Sequence, residues 1–515
     1  MIYSDAVLDT GKSRVNGIAA PIKGLNTLSP IAGLSPEYAI QLDNFICQPD
    51  AIIMRTGAAD HKTGFATAPK TLMAYTSATA NQLFAANANG IFNATAAGAI
   101  GASVAACTSG FGVSVNFATS AGQFMYFVNG VDTPKLYDGT TWVAVTGASV
   151  PAITGPTTTT LKSVETYRQR LFFLQNDFLG FYYMPADSVG GAAGAFRIGS
   201  LCRRGGEVVA HGTWSIDGGS GPDDHYVLAT SEGEIVVFKG SDPAVAANWT
   251  YIGTYYVGKP AGVNCFAKYG GDLLYLCENG LIPMSELPQS TTRNYERTVT
   301  NKIQPTISRA FALYGTVAGW RVNVIPRLSL ILINIPRDSV TSIQLVYNTV
   351  SKGWSSFSMW NAADFIDYAG ATYFSTGNVV ALAFTGTADF GNAITAVCDT
   401  SYNRFGTRTQ LFPLEVRVLH ATSSPCFYTA GVAQDFSGIY AESTYGFSGL
   451  SSGRWDSALW DLSAWGGEFT LRKDWVTLAA RSGIAISTRF KVTSKDATVI
   501  LLAIDYKFAD QGLIS

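Results

Sequence analysis

The sequence predicts an all-β chain, a six- to eight-bladed β-propeller with a short helical insertion and an additional C-terminal β domain. Three observations predict it. A unit made of one short apolar strand, a Gly/Asn/Asp turn and a second short strand recurs seven times along the chain. Successive copies lie roughly 40 to 55 residues apart, the spacing of a four-stranded blade with variable loops rather than of a helical solenoid. The strand segments are rich in Val, Ile, Tyr, Phe and Thr, which favour a pleated, half-buried backbone.

In order, the copies are residues 81–84 with 90–92, 123–127 with 135–139, 168–173 with 180–183, 225–228 with 233–238, 272–276 with 280–282, 328–332 with 344–347, and 371–374 with 379–382. One small sheet cannot hide both of its faces, so such units are expected to stack radially and bury one another in a closed ring. One stretch breaks the pattern. From Ser290 through Arg293, Glu296, Val299, Ile303, Ile307 and Phe311 to Gly315, apolar positions recur four apart, which predicts helix. Ser290 and Gly315 suit its ends, and Pro305 inside it is expected to kink or divide it. Two readings stand: a docking element, for which Arg293, Tyr295 and Arg297 are the candidate interface residues, or a helix lying on the ring to cover its own apolar stripe.

The blade rhythm stops near Asp389, which divides the chain into an N-terminal arm with the first propeller strands (1–70), the propeller (71–389) and a C-terminal β-rich platform or tip domain (390–515). Within the last lie Trp455, Trp460 and Trp465, whose five-residue spacing matches neither helix nor strand. They plug that domain's core, or they form an exposed aromatic anchor for a neighbouring subunit or a cell-surface target.

Composition bounds the function. Charged residues are 14% of the chain, against roughly 25% in ordinary soluble domains, and aromatic residues reach 12%. A large interior or wide contact faces in an assembly would both give this, and contact faces are the expected source. The net charge of −2 excludes the strongly basic character of a protein that reads nucleic acid, while a bore through which DNA slides needs no such charge. Seven scattered cysteines, none in a C-x-x-C pair, indicate neither a zinc site nor a disulfide framework, and suit folding in a reducing cytoplasm. The N-terminus lacks the pattern of a signal peptide, and the apolar runs at 328–335 and 499–504 are too short to span a bilayer.

Catalytic motifs fail on their chemistry. The string from Gly449 through Ser451 to Gly453 matches a nucleophile elbow, but no histidine follows His420. The stretch from Gly253 to Lys259 begins like a phosphate loop, yet Pro260 stands where a hydroxyl must reach Mg²⁺. Asp223, Asp224 and His225 are adjacent and cannot all face one ion, so they read as a solvated turn. Asp138 and Gly139 before Trp142 look like the Asp-turn of sialidases but occur once, so Asp-Gly reads as a hairpin turn and Trp142 as packing between blades. No catalytic residue, cofactor or metal is expected.

Two stretches are more specific. Pro21, Lys23, Gly24, Leu25 and Asn26, then Ser35, Pro36, Leu42, Asp43, Asn44 and Phe45, and on to Met54, Arg55, Thr56 and Gly57, resemble the opening of the tail nozzle, or tail tubular, proteins of short-tailed bacteriophages. Leu345, Tyr347, Asn348, Lys352, Gly353, Trp354 and Phe357, with Thr387, Ala388, Asp389, Phe390 and Gly391, resemble the last blade and exit of the same proteins. Ser35-Pro36 suits the start of a short helix, and Asn348 with Lys352-Gly353 suits a hairpin returning to a packed Trp354.

The resemblance implies a structural subunit and not an enzyme. Six copies would form a ring beneath the adaptor and portal proteins, beside tail fibres or spikes. The ring would retain packaged double-stranded DNA and conduct it non-specifically during ejection. It implies a place in the virion tail after assembly in the host cytoplasm, and it admits contact with the host envelope. Two alternatives remain. A receptor- or glycan-binding tail component would use Trp455, Trp460 and Trp465. A glycan-cleaving propeller would need paired carboxylates.

Overall fold

Six of the seven sequence copies each fall in a separate sheet of three to five strands, and the copy at 328–332 with 344–347 falls in a nine-stranded one, in the computed structural model, which describes residues 13–78, 80–217, 222–289, 297–406, 409–446, 469–477 and 482–510. The chain forms two units, residues 60–345 with 359–383, and residues 1–59 with 346–358 and 384–515.

The first unit is a propeller. Blade 1 is Thr71–Thr76, Asn81–Asn87 and Gly90–Asn93. Blade 2 is Val113–Thr119, Gly122–Val128, Lys135–Tyr137 and Trp142–Ala144. Blade 3 is Leu161–Tyr167, Arg170–Gln175, Gly180–Tyr183 and Gly194–Arg197. Blade 4 is Val208–Asp217, Pro222–Thr230, Glu234–Gly240 and Trp249–Tyr256. Blade 5 is Phe266–Tyr269, Asp272–Cys277 and Gly280–Pro283. Blade 6 is Arg321–Ile325, Leu330–Pro336 and the start of Ser342–Asn348. Blade 7 is Ala362–Tyr368, Ala371–Thr376 and Val379–Ala383.

The first strand of each blade contacts the first strand of the next, and Ala362–Tyr368 of blade 7 contacts Thr71–Thr76 of blade 1, so the seven blades among the described residues close into a ring. Blade 7 takes its outer strand from far away: residues 60–63 of Ala58–Thr63 pair beside Val379–Ala383. This splices one end of the repeat onto the other and covers an edge that would otherwise be open.

Aromatic side chains fill the seams. Met73, Tyr75 and Phe84 meet Met125, Phe127 and Tyr137 between blades 1 and 2, with Trp142 packed against them. Asp138 accepts the N–H groups of Thr140 and Thr141 at 2.8 and 2.7 Å, so the Asp-Gly turn and the Trp142 seam are as the sequence reads. Between blades 3 and 4 the Phe172 and Tyr226 rings lie 4.6 Å apart, with Phe181, Phe238 and Trp249 around them. Much of the aromatic content is therefore interior.

The helical stretch is shorter than its periodicity suggests. Residues 290–296, with Ser290, lie outside the described residues. The helix runs Gln304–Tyr314 with Pro305 in its first turn, and Gly315 closes it by donating to the Phe311 carbonyl at 2.8 Å. Pro305 starts the helix rather than kinking it, because a first-turn residue has no intrahelical acceptor to reach. Ile303, Ile307 and Ala310 are buried, and the helix contacts blades 5 and 6, which favours the covering role over a free docking element.

The second unit is two packed sheets. One holds Arg14–Ala19, Phe45–Cys47, Ile52–Met54, Leu411–Thr422 and Val499–Asp510; the other holds Ala39–Asp43, Trp354–Phe357, Ile394–Thr400, Ile486–Ser494, Tyr428–Gln434 and Ala441–Tyr445. A continuous core that includes Leu42, Phe45, Val416, Phe490, Leu501 and Tyr506 lies between them. The expected division differs here. Residues 14–59 belong with the C-terminal strands rather than with the propeller, because Arg14–Ala19 pairs with Val499–Asp510 and Ala39–Asp43 with Ile394–Thr400. Ser35-Pro36 opens a turn, with the Tyr38 N–H on the Ser35 carbonyl at 3.0 Å, because the strand at Ala39 leaves no room for a helix.

Candidate functional site

Most of the residues singled out from sequence lie outside the described residues, and those that are described do not converge. Trp455, Trp460, Trp465, Arg293 and Tyr295 lie outside the described residues, as does the string from Gly449 to Gly453. Arg297 is described, partly exposed and paired with Glu286 at 2.9 Å. Asp223, Asp224 and His225 sit in a strand rather than a turn; Asp224 accepts the Ser215 hydroxyl at 2.7 Å and His225 packs on Trp214. The stretch from Gly253 runs on as strand, through the end of Trp249–Tyr256. Among the described residues no three His, Cys, Asp or Glu side chains are grouped to hold a metal ion.

What does converge are the two stretches that carry the nozzle resemblance. The turn at Gly24 brings the Leu25 N–H to the Trp354 carbonyl at 2.7 Å, and the Asn44 N–H reaches the Ser356 carbonyl at 2.7 Å. Asn44 adopts a left-handed φ of 57°, which Asn tolerates better than most residues. Its amide donates to Ser358 Oγ at 2.8 Å and to the Thr395 carbonyl at 2.7 Å. Asn348 and Gly353 close the hairpin through a 3.0 Å bond, and Trp354 is buried.

At the centre lies Arg55, whose side chain is 0% exposed, facing Asp389 at 4%. Its Nη1 and Nη2 donate to the two Asp389 oxygens at 2.9 and 2.5 Å. The Nε–H donates to Asn44 Oδ1 at 2.8 Å, and the remaining donors reach the Thr56 and Ser358 carbonyls at 3.1 and 3.2 Å. All five guanidinium N–H groups are used. Asp389 therefore has each oxygen bound to a fixed, buried cation. The arrangement is a lock and not a catalytic dyad.

Carboxylates on the propeller's first strands are similarly engaged. Asp364 pairs with Arg321 and accepts the Leu72 N–H at 2.8 Å, so one side chain ties blades 6, 7 and 1. Glu165 of blade 3 lies 3.8 Å from Lys268 of blade 5, and burial raises its pKa against the pull of that lysine. His211 bonds the Tyr226 hydroxyl at 2.7 Å, and burial lowers its pKa to about 3. Sequence reasoning missed these groups because none sits in a motif; they become neighbours only through blade order.

One edge stands out. The outer strands of blades 1, 2, 3 and 5 have three or four residues. That of blade 4, Trp249–Tyr256, has eight, carries no charge, and exposes Tyr251, Ile252 and Tyr256. No further strand pairs with it among the described residues.

No family model matches the chain, and no curated protein matches it. Among solved structures it is similar to YCF48 bound to D1 peptide, at 10% identity over 68% of this chain and 96% of that one, TM-score 0.33. It is similar to the Cps50 (Swd1) β-propeller domain of Myceliophteria thermophila, at 9% identity over 59% and 93%, TM-score 0.37. A glycoside hydrolase family 43 arabinoxylan arabinofuranohydrolase from Bacillus subtilis, in complex with cellotetraose, matches at 12% identity over 89% and 96%, TM-score 0.25. At these scores the propeller assignment rests on the chain's own sheets and ring closure, and the neighbours' functions do not transfer.

Proposed function

We propose that this chain is a non-enzymatic, ring-forming structural subunit of the tail-nozzle type, with copies surrounding a channel for DNA in a virion tail. The observation that carries this reading is the meeting of the two resemblance-bearing stretches, some 300 residues apart in sequence, around one fully satisfied ion pair. Residues that resemble a family at two distant places do so for a common reason when they build one junction, and a rigid junction suits a mechanical part. The charge-poor composition and the outer edge of blade 4 support the assembly half of the reading, since an uncharged edge strand with no further strand beside it among the described residues is a template for another chain. A closed ring of identical copies uses two different faces of each subunit. Its partners in this reading are adaptor and portal proteins, tail fibres or spikes, and DNA sliding without sequence preference.

Electron microscopy of the purified protein and of virions containing it tests the proposal. Rings of six copies with a central opening are expected in both. Monodisperse monomers together with virions lacking such a ring would end it.

A further inference from the structure

The sandwich unit contains a cavity of about 240 Å³ that neither the ion-pair lock nor the proposed ring contacts use. Its walls come from Leu411–Thr422, Tyr428–Gln434, Ala441–Tyr445 and the short strands Thr470–Arg472 and Trp475–Thr477. Strand register sets His420 directly opposite Arg472. The Tyr428 ring packs edge-on against His420 at 4.8 Å and lies tilted beside Tyr445 at 5.5 Å. Asp474, Thr422 and Thr444 add further polar groups to the lining.

The protonation pattern follows from the contacts. His420 Nδ1 lies 2.9 Å from the Val418 carbonyl and must carry the proton to bond it, which leaves Nε2 as an acceptor in the neutral ring. Burial lowers the His420 pKa, so the neutral ring prevails near pH 7. Burial, with the Asp474 charge, raises Tyr428 to about 12, so its phenol keeps its proton. The wall therefore offers one cation, one anion and a neutral imidazole.

This balance selects the ligand. An oxyanion entering beside Arg472 would also face the Asp474 carboxylate, and its lost hydration would be poorly repaid. A neutral polyol can donate to Asp474 and to an imidazole nitrogen, accept from a guanidinium and a phenol, and lay its C–H face on a tyrosine ring. The volume is below the roughly 300–1,000 Å³ of drug-sized sites and suits a single ring. Phe427, 66% exposed, approaches Gly446 of the lining and adds an apolar surface for a neighbouring unit of a longer chain.

We propose that this cavity binds one hexopyranose unit of a neutral glycan, held by Arg472, Asp474, His420 and Tyr428 with Tyr445 as its apolar floor. The inference does not rest on ring formation. Saturation-transfer NMR and calorimetry on the full chain, with the methyl glycosides of glucose, galactose and N-acetylglucosamine as probes and acetate and phosphate as controls, test it.

At least one glycoside is expected to bind with a dissociation constant on the order of 1 mM. Asp474→Asn and Tyr428→Phe should each weaken it by about tenfold, the scale of one hydrogen bond to a charged or buried group. Phe427→Ala, at an exposed position, should weaken a disaccharide and leave the monosaccharide unchanged. Absence of transfer to all three glycosides overturns the proposal. So does preferential binding of acetate or phosphate, or binding that survives both Asp474→Asn and Tyr428→Phe. Ring imaging by microscopy is unaffected by any of these results, so the two proposals fail separately.

Discussion

Replacing Asp389 by Ala tests the polar lock, and its cost can be worked from the contacts. The substitution removes two charge-assisted bonds from a guanidinium whose side chain has no solvent exposure. Three donors keep their acceptors on Asn44, Thr56 and Ser358, so the loss is smaller than full burial of a bare ion. Breaking one partner of such a buried pair costs about 3–5 kcal/mol. A double replacement, Arg55→Met with Asp389→Leu, should cost less than Asp389→Ala alone, because no charge is then stranded.

With two units in one chain a single melting temperature is ill-defined, so native-state hydrogen exchange of residues 44–56 is the assay. Protection there should fall by roughly 10² to 10³-fold or more for Asp389→Ala, following 1.4 kcal/mol per tenfold. A change below about tenfold, or a double variant worse than the single, would refute the claim that this pair is fully desolvated and fully bonded.

Three further outcomes are expected. Gly24→Ala should destabilise the same unit by about 1–3 kcal/mol in denaturant titration, because φ is +70° and a Cβ would meet the Trp354 backbone. His211 has a folded pKa of about 3 against 6.5 unfolded. Its neutral form is favoured by folding, so its contribution is complete above 6.5 and is lost as pH falls toward 3, by about 1.4 kcal/mol per unit; His211→Gln should remove that component from the stability–pH curve. Ile252→Lys, at an exposed position of the open edge, should leave folding within about 0.5 kcal/mol while abolishing higher-order particles in light scattering, if that edge is an assembly contact.

The blade pattern was legible because it is local. Each copy found in sequence is the second and third strand of one blade, such as Arg170–Gln175 with Gly180–Tyr183, which hold its most buried apolar residues. First strands, and fourth strands where a blade has one, gave no signal of their own. The unit boundary was hidden for the opposite reason: the partner of Arg14–Ala19 is Val499–Asp510, and nothing in either strand names the other. Arg55 and Asp389 were legible only as parts of a resemblance, since a buried ion pair across 334 positions has no spacing rule. The glycan cavity escaped because His420 and Arg472 become neighbours through strand register and not through a motif. Pro305 was misread because helix-breaking and helix-starting differ only by where the first turn falls.

Completing blade 7 with residues 60–63 imposes a schedule on synthesis. Those residues leave the ribosome long before Val379–Ala383 does, and at roughly 5–20 residues per second the interval is on the order of tens of seconds. Throughout it, Leu72 and Leu83 of the first blade lack the Tyr368 and Val380 that later cover them. The nascent chain thus carries a sticky, unmatched flank that a neighbouring nascent copy can invade. Crowded polysomes making this protein are where exchange of that strand between copies, or capture by a chaperone, is decided.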